Sequence, residues 1–117
     1  KVVQATLAKL RSLNILNDKA FARDWARGRV ESRGYGPLWV ERELEERGIP
    51  ERLVARVVEE IFGPDGGKER ARRLLQKRFK GKDLRDPKIL SRAVALLQRR
   101  GYGGSVIAGV LGVEENG

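Results

Sequence analysis

Leu44-Glu45-Glu46-Arg47-Gly48-Ile49 is the stretch whose reading decides the fold, because the chain writes it again as Leu97-Gln98-Arg99-Arg100-Gly101-Tyr102. The shift is 53 residues and it continues: Leu53, Val54, Val57 and Val58 answer to Val106, Ile107, Val110 and Leu111. Upstream the match runs at a shift of 49, pairing Ala22 with Ala71, Trp25 with Leu74, Ala26 with Leu75, Arg29 with Arg78 and Val30 with Phe79. The slip between the two registers is about one helical turn or one longer loop. One repeat is therefore a helix a, a helix b that stops at Arg-Gly, and a short helix c. Units of this kind bury their apolar faces on one another. The expectation is an all-α fold of tandem three-helix repeats forming an elongated array.

Helical spacing supports that plan along the chain. Val3, Leu7 and Leu10 recur at i, i+4 and i+7, so residues 1–12 read as the last helix of an earlier unit. The chain opens inside that helix and contains no methionine, so it reads as a fragment without its N-terminal part. Leu13, Ile15 and Leu16 form a connection, and Asn17 or Asp18 can cap helix a. Helix a, about residues 19–33, carries Phe21, Ala22, Trp25, Ala26 and Val30 on its inward face. Gly34-Tyr35-Gly36-Pro37 breaks the pattern, with Gly34 suited to a helix end and Pro37 to a helix start. Helix b turns Val40 and Leu44 inward, and helix c follows Pro50 with Leu53, Val54, Val57, Val58 and Ile61. Gly63-Pro64-Asp65-Gly66-Gly67 is the boundary between units. The second copy buries Ala71, Leu74, Leu75 and Phe79, starts helix b at Asp86-Pro87, and closes with Val106, Ile107, Val110 and Leu111. The domain division expected is 1–16 for the end of a truncated first repeat, 17–63 for the second repeat, and 64–117 for the third with a short tail.

Charge is unevenly spread. Of the net +9, all lies between Asp65 and Tyr102, where 13 Lys/Arg face 4 Asp/Glu, and the rest of the chain is balanced. Gly36 to Phe62 is acidic, with 4 basic and 7 acidic residues. A basic block beside an acidic one suits a polyanion or an electrostatically complementary protein. A solvated, arginine-rich surface would read the same way. With no cysteine there is no disulfide framework and no thiolate metal site, a composition that suits a reducing cytoplasm. No apolar run approaches the roughly 20 residues of a membrane span, so no membrane partner is expected.

Catalytic machinery is sparse. The chain lacks histidine and cysteine, the commonest general base and the strongest nucleophile. Glu41 and Glu45 lie one turn apart, but nearby Arg42 and Arg47 make them a solvated helix face. Gly66-Gly67-Lys68 resembles a phosphate loop only faintly, since Phe62 and Glu69 stand where glycine and Ser/Thr are needed. No catalytic, cofactor or metal residues are assigned. Binding is the better-founded class: helix a of the second copy packs six cations into three turns, with Arg99 and Arg100 nearby in sequence. Tyr35, between two glycines, can touch a partner. Tyr102 stands where the first unit has Ile49 and reads as an apolar staple. Trp25 aligns with Leu74 and reads as core, and Trp39 lies off the Val40/Leu44 line.

The ordered set Leu16-Asn17-Asp18, Phe21-Ala22-Arg23, Arg29, Arg33-Gly34-Tyr35-Gly36-Pro37, Leu44, Arg47-Gly48-Ile49, Ala71, Leu74 and Lys77-Arg78-Phe79 resembles the bacterial RecX family. Leu97, Arg100-Gly101-Tyr102, Val106-Ile107 and Val110-Leu111 extend the resemblance from about Leu13 to Leu111. It implies three tandem three-helix units, of which the first is here reduced to its last helix. It further implies a cytoplasmic, monomeric, non-enzymatic modulator of the RecA recombinase, connected with DNA repair and the SOS response. Such a protein lies in the helical groove of the RecA–DNA filament and lowers strand exchange, ATP hydrolysis and co-protease function. The partners implied are the RecA filament, single-stranded DNA and double-stranded DNA. The expected contact residues are Arg23, Arg27, Arg29, Arg33, Tyr35, Lys77, Arg78, Arg99 and Arg100. Of these, Arg23, Arg27 and Arg99 are chosen for charge and helical phase alone, and the others stand at family-like positions. The alternative is a basic helical module that binds bare DNA or RNA.

Overall fold

A computed structural model describes residues 19–113 of the chain. The expected helix at residues 1–12, the connection and caps that follow it, and the tail beyond Val113 lie outside the described residues. Among the described residues the order is α1 (residues 19–33), α2 (Pro37–Glu46), α3 (Glu51–Phe62), α4 (Lys68–Arg78), α5 (Pro87–Arg100) and α6 (Gly104–Leu111), with no strand. Two three-helix units result. Helices α1 to α3 enclose one core, in which Ala22, Ala26, Val40, Leu44 and Val57 are fully buried. Helices α4 to α6 enclose the other, built on Ala71, Leu75, Ala93, Leu97, Tyr102 and Ile107.

The buried line of α1 is Ala22, Ala26 and Val30, one residue every four. Phe21 does not join it and is 49% exposed, because one step along a helix turns the side chain about 100° away from Ala22. Trp25 follows Phe21 by a turn and is accordingly half-buried at the core's edge rather than inside it. Leu74, its repeat counterpart, is half-buried too. Equivalence therefore holds, but at a groove position. Asp65 prepares α4 by accepting from the backbone N–H of Gly67 at 3.0 Å. Asp86 caps α5 by accepting from the N–H of Lys88 at 2.9 Å, with Pro87 in the first turn, as the sequence predicts.

The repeated Arg-Gly stop has one geometry in both units. After α2, Gly48 takes φ +81° and the N–H of Ile49 returns to the carbonyl of Leu44 at 3.0 Å. After α5, Gly101 takes φ +92° and the N–H of Tyr102 returns to the carbonyl of Leu97 at 3.0 Å. The accompanying bonds, Gly48 N–H to Glu45 and Gly101 N–H to Gln98, complete the same Schellman cap twice. Leu44 and Leu97 anchor these caps and are each 0% exposed. Leu44→Ala and Leu97→Ala are each expected to cost roughly 2–5 kcal/mol, read by urea denaturation. A loss below about 1 kcal/mol in either would mean that its unit does not depend on that core.

The units meet through two turns. Gly36, just before α2, has no side chain with which to cap that helix. Its N–H instead donates to the carbonyl of Arg100 at 2.6 Å, and the N–H of Leu38 donates to the carbonyl of Gly101 at 2.9 Å. Orphan donors at the start of α2 thus meet orphan acceptors at the end of α5, with the two helix dipoles opposed in sign at the junction. The end of α1 is served reciprocally. The Arg100 guanidinium donates to the Arg33 carbonyl, and the Tyr102 hydroxyl donates to the Gly34 carbonyl at 3.3 Å. Glycine is needed for this close approach: a Cβ on Gly36 would stand 2.7 Å from the Gly101 carbonyl oxygen.

Candidate functional site

The seam positions the candidate site. Along α4, Arg70, Arg73, Leu74, Lys77 and Arg78 follow i, i+3, i+4, i+7 and i+8 and share one face, while Ala71 and Leu75 are buried behind them. That face looks across an open cleft of about 390 Å³ to the end of α1, where Val30, Glu31, Ser32, Arg33 and Gly34 form the other wall. Arg100 and Tyr102 close the cleft at the seam. Six cations line it, against the single carboxylate of Glu31.

That carboxylate engages Arg70 at 3.1 Å, across the seam. Glu69 lies 2.8 Å from Arg72 and 3.7 Å from Arg73. Among the described residues no carboxylate lies within ion-pairing distance of Arg33, Lys77, Arg78 or Arg100. Lys77 and Arg78 also occupy the last turn of α4, and Arg100 the last turn of α5, where helix dipoles favour positive charge. An open, positively charged cleft with guanidinium groups that no carboxylate neutralises can hold phosphates by charge-assisted hydrogen bonds, bidentate where arginine is used.

A second, smaller groove of about 200 Å³ adjoins it, lined by Trp25, Arg29, Arg33, Tyr35, Trp39, Glu43 and Arg47. Arg33 borders both. Tyr35 stacks on Trp39 with centroids 3.7 Å apart, and Trp39 stacks on Trp25 at 5.7 Å. The Arg47 guanidinium lies 4.4 Å from the Trp25 ring centroid, an exposed cation–π contact worth about 0.5–1 kcal/mol.

The expected residues therefore separate. Arg33, Lys77, Arg78 and Arg100 come together in the cleft, and Arg29 and Tyr35 join Arg33 in the aromatic groove. Arg23 lies apart, 3.9 Å from Glu60 of α3, beside Lys19 on the same carboxylate at 3.4 Å. Arg27 and Arg99 are exposed and line neither hollow. Sequence reasoning missed Arg70 and Arg73, although their helical phase with Lys77 carried the signal. It also missed Arg47, the repeat counterpart of Arg100.

Two groups titrate unusually. The Glu41 carboxyl is raised from its ordinary value, first by burial and then by the neighbouring Glu45 charge. Burial pushes the Tyr102 phenol up to about 12, against the opposing pull of Arg70 and Arg100. The folded phenol thus holds its proton above pH 10, where the unfolded one releases it. The Tyr102 contribution to stability is complete below about pH 10 and is lost as pH rises through about 12. Tyr102→Phe is expected to flatten that alkaline decline, measured as melting temperature against pH. An unchanged decline would place its cause elsewhere.

Among the described residues no group of three or more His, Cys, Asp or Glu is placed to hold a metal, and no helix is long and apolar enough to cross a membrane.

Comparison with known proteins agrees with the division into three-helix units. Residues 17–58 match the model of the RecX second three-helix domain, and residues 68–111 that of the RecX third three-helix domain. The chain is 32% identical to the regulatory protein RecX of Corynebacterium efficiens over 107 residues, covering 86% of this chain and 50% of that protein. It is 35% identical to the RecX of Geobacillus kaustophilus over 111 residues, 94% of this chain and 41% of that one. Against the RecX of Mycolicibacterium smegmatis the identity is 28% over 113 residues, 92% of this chain and 60% of that protein. The chain spans about half the length of these relatives. No solved structure matches it.

Proposed function

Because the chain belongs to the RecX family, we propose that it is a regulatory module acting on the RecA–DNA filament. It binds in the helical groove of the filament and lowers strand exchange, ATP hydrolysis and co-protease function. The observation that carries this reading is the seam cleft, where six cations from both units face one carboxylate. Phosphate along a filament groove is the ligand such a cleft suits, and an acidic RecA surface presents the same sign of charge. Arg33, Lys77, Arg78 and Arg100 make the contacts, with Arg70 and Arg73 beside them. The module works by binding and supplies no reaction chemistry.

Bare nucleic acid is the competing ligand, favoured by the same cations. The two readings separate when fluorescently labelled chain is titrated with RecA–DNA filaments, with the same DNA alone, and with RecA alone. The filament is expected to bind at least about tenfold more tightly than either component, an advantage of about 1.4 kcal/mol. Equal affinity for bare and RecA-coated DNA would favour the simple nucleic-acid module.

A further inference from the structure

The cleft accounts for cations, but not for the ladder of rings beside it. Trp25, Trp39 and Tyr35 lie nearly parallel, with interplanar angles of 10° and 8° along the series. Both tryptophans are only half-buried. The core does not require a tryptophan at position 25: the second unit places Leu74 at the equivalent position and still closes its own core. Seam packing holds the ladder in place, since a Cβ on Gly101 would stand 2.5 Å from both the Trp39 backbone nitrogen and its Cβ. Arg29 and Arg47 lie over the Trp25 ring at 5.5 and 4.4 Å.

Aromatic rings interleaved with arginine, set beside a cationic track, are the ingredients of a single-strand binding surface. Bases stack on the rings while the backbone follows the charge. A duplex hides its base faces within its own stack and cannot use such a ladder. We propose that the Trp25–Trp39–Tyr35 groove is a stacking site for an unpaired nucleobase, with Arg29, Arg33 and Arg47 holding the adjoining phosphates. The base displaces the Arg47 guanidinium from Trp25, because an exposed cation over a ring is held more weakly than a stacked base. Arg47 then turns to the phosphate. Glu43, at the rim, can accept a hydrogen bond from a base-edge N–H. Because Arg33 lines both hollows, one strand can pass from the base site into the cleft without leaving positive charge. This inference rests on the cleft as a phosphate site and adds to it a preference for unpaired strands.

Trp25 and Trp39 are the only tryptophans in the chain, so intrinsic fluorescence reads the site directly. The experiment titrates the full chain with a short oligothymidylate, an oligouridylate of equal length, and an abasic oligonucleotide of that length, following tryptophan emission and the anisotropy of labelled strand. Quenching by a base-bearing strand is expected, with binding about tenfold or more tighter than to the abasic strand. Quenching by either base-bearing strand supports the site, and the tighter one identifies its source. Trp25→Leu, which installs the residue of the second unit, should remove the advantage over the abasic strand. Equal affinity for all three strands without quenching would overturn the stacking site and leave the phosphate cleft standing. No binding to any strand would overturn both.

Discussion

Lys77→Glu combined with Arg78→Glu is expected to lower affinity for single-stranded DNA by roughly 25-fold at about 0.1 M salt. The magnitude follows from counterion release. Each phosphate contact on a single strand contributes about 0.7 to the slope of log affinity against log salt. Two lost contacts remove about 1.4 from that slope, and at a tenth molar the same factor appears as about 1.4 log units of affinity. The inserted carboxylates add repulsion, so the figure is a lower bound. RecA-coated DNA should be affected in the same direction. Folding should be spared, because both side chains are exposed and the core face of α4 is Ala71 and Leu75. Arg23→Glu supplies the contrast. Arg23 lies beside Glu60 away from the cleft, so its reversal should change DNA affinity far less. Equal losses in the two variants would mean that net charge, rather than the cleft, governs binding. Titrations at several salt concentrations separate these outcomes.

Gly101→Ala is expected to be the most damaging small substitution in the molecule. Its φ of +92° disfavours any side chain, and the added Cβ would meet Trp39 at 2.5 Å, main chain included. Gly48→Ala is the natural comparison. Gly48 has φ +81° at the equivalent position of the first unit, but nothing within 4 Å of an added Cβ. It should cost only the backbone strain, about 1–2 kcal/mol. Gly101→Ala adds displacement of the seam and should cost roughly 3–5 kcal/mol in all. For a chain of this size the second figure corresponds to a melting temperature lower by roughly 15 °C or more. The difference between the two variants isolates seam contact from helix capping, which they share. Equal losses would show that the seam adds nothing to stability. The Gly101 variant should also bind DNA less well, because the seam sets the distance between Arg33 and the α4 face.

The helices and their order were legible because their signals are local. Asp86-Pro87 announces a helix start from two neighbouring residues, and Arg-Gly announces a stop twice. Val54, Val57 and Ile61 carry their spacing within one helix. The seam was not legible, because its bonds join positions more than sixty residues apart. Nothing local to Gly36 says that its N–H will find the Arg100 carbonyl. Trp25 was misplaced for a related reason: equivalence with Leu74 was read as burial, although both sit where a groove opens. Phe21 illustrates the limit of apolar counting, since a single step around α1 separates an exposed phenyl from fully buried Ala22. Lys77, Arg78 and Arg100, expected from family-like positions, come together in the cleft. Arg70 and Arg73 share the helical phase of Lys77, but that this face of α4 looks across to α1 is set by the seam and is not written locally.

The most direct test of the account is the rate of ATP hydrolysis by RecA filaments preassembled on single-stranded DNA, with the chain added afterwards. A dose-dependent fall is expected with the parent chain, and little or none with the Lys77→Glu, Arg78→Glu variant at the same concentration. An unchanged rate at concentrations where filament binding is saturated, or equal inhibition by both proteins, would contradict it.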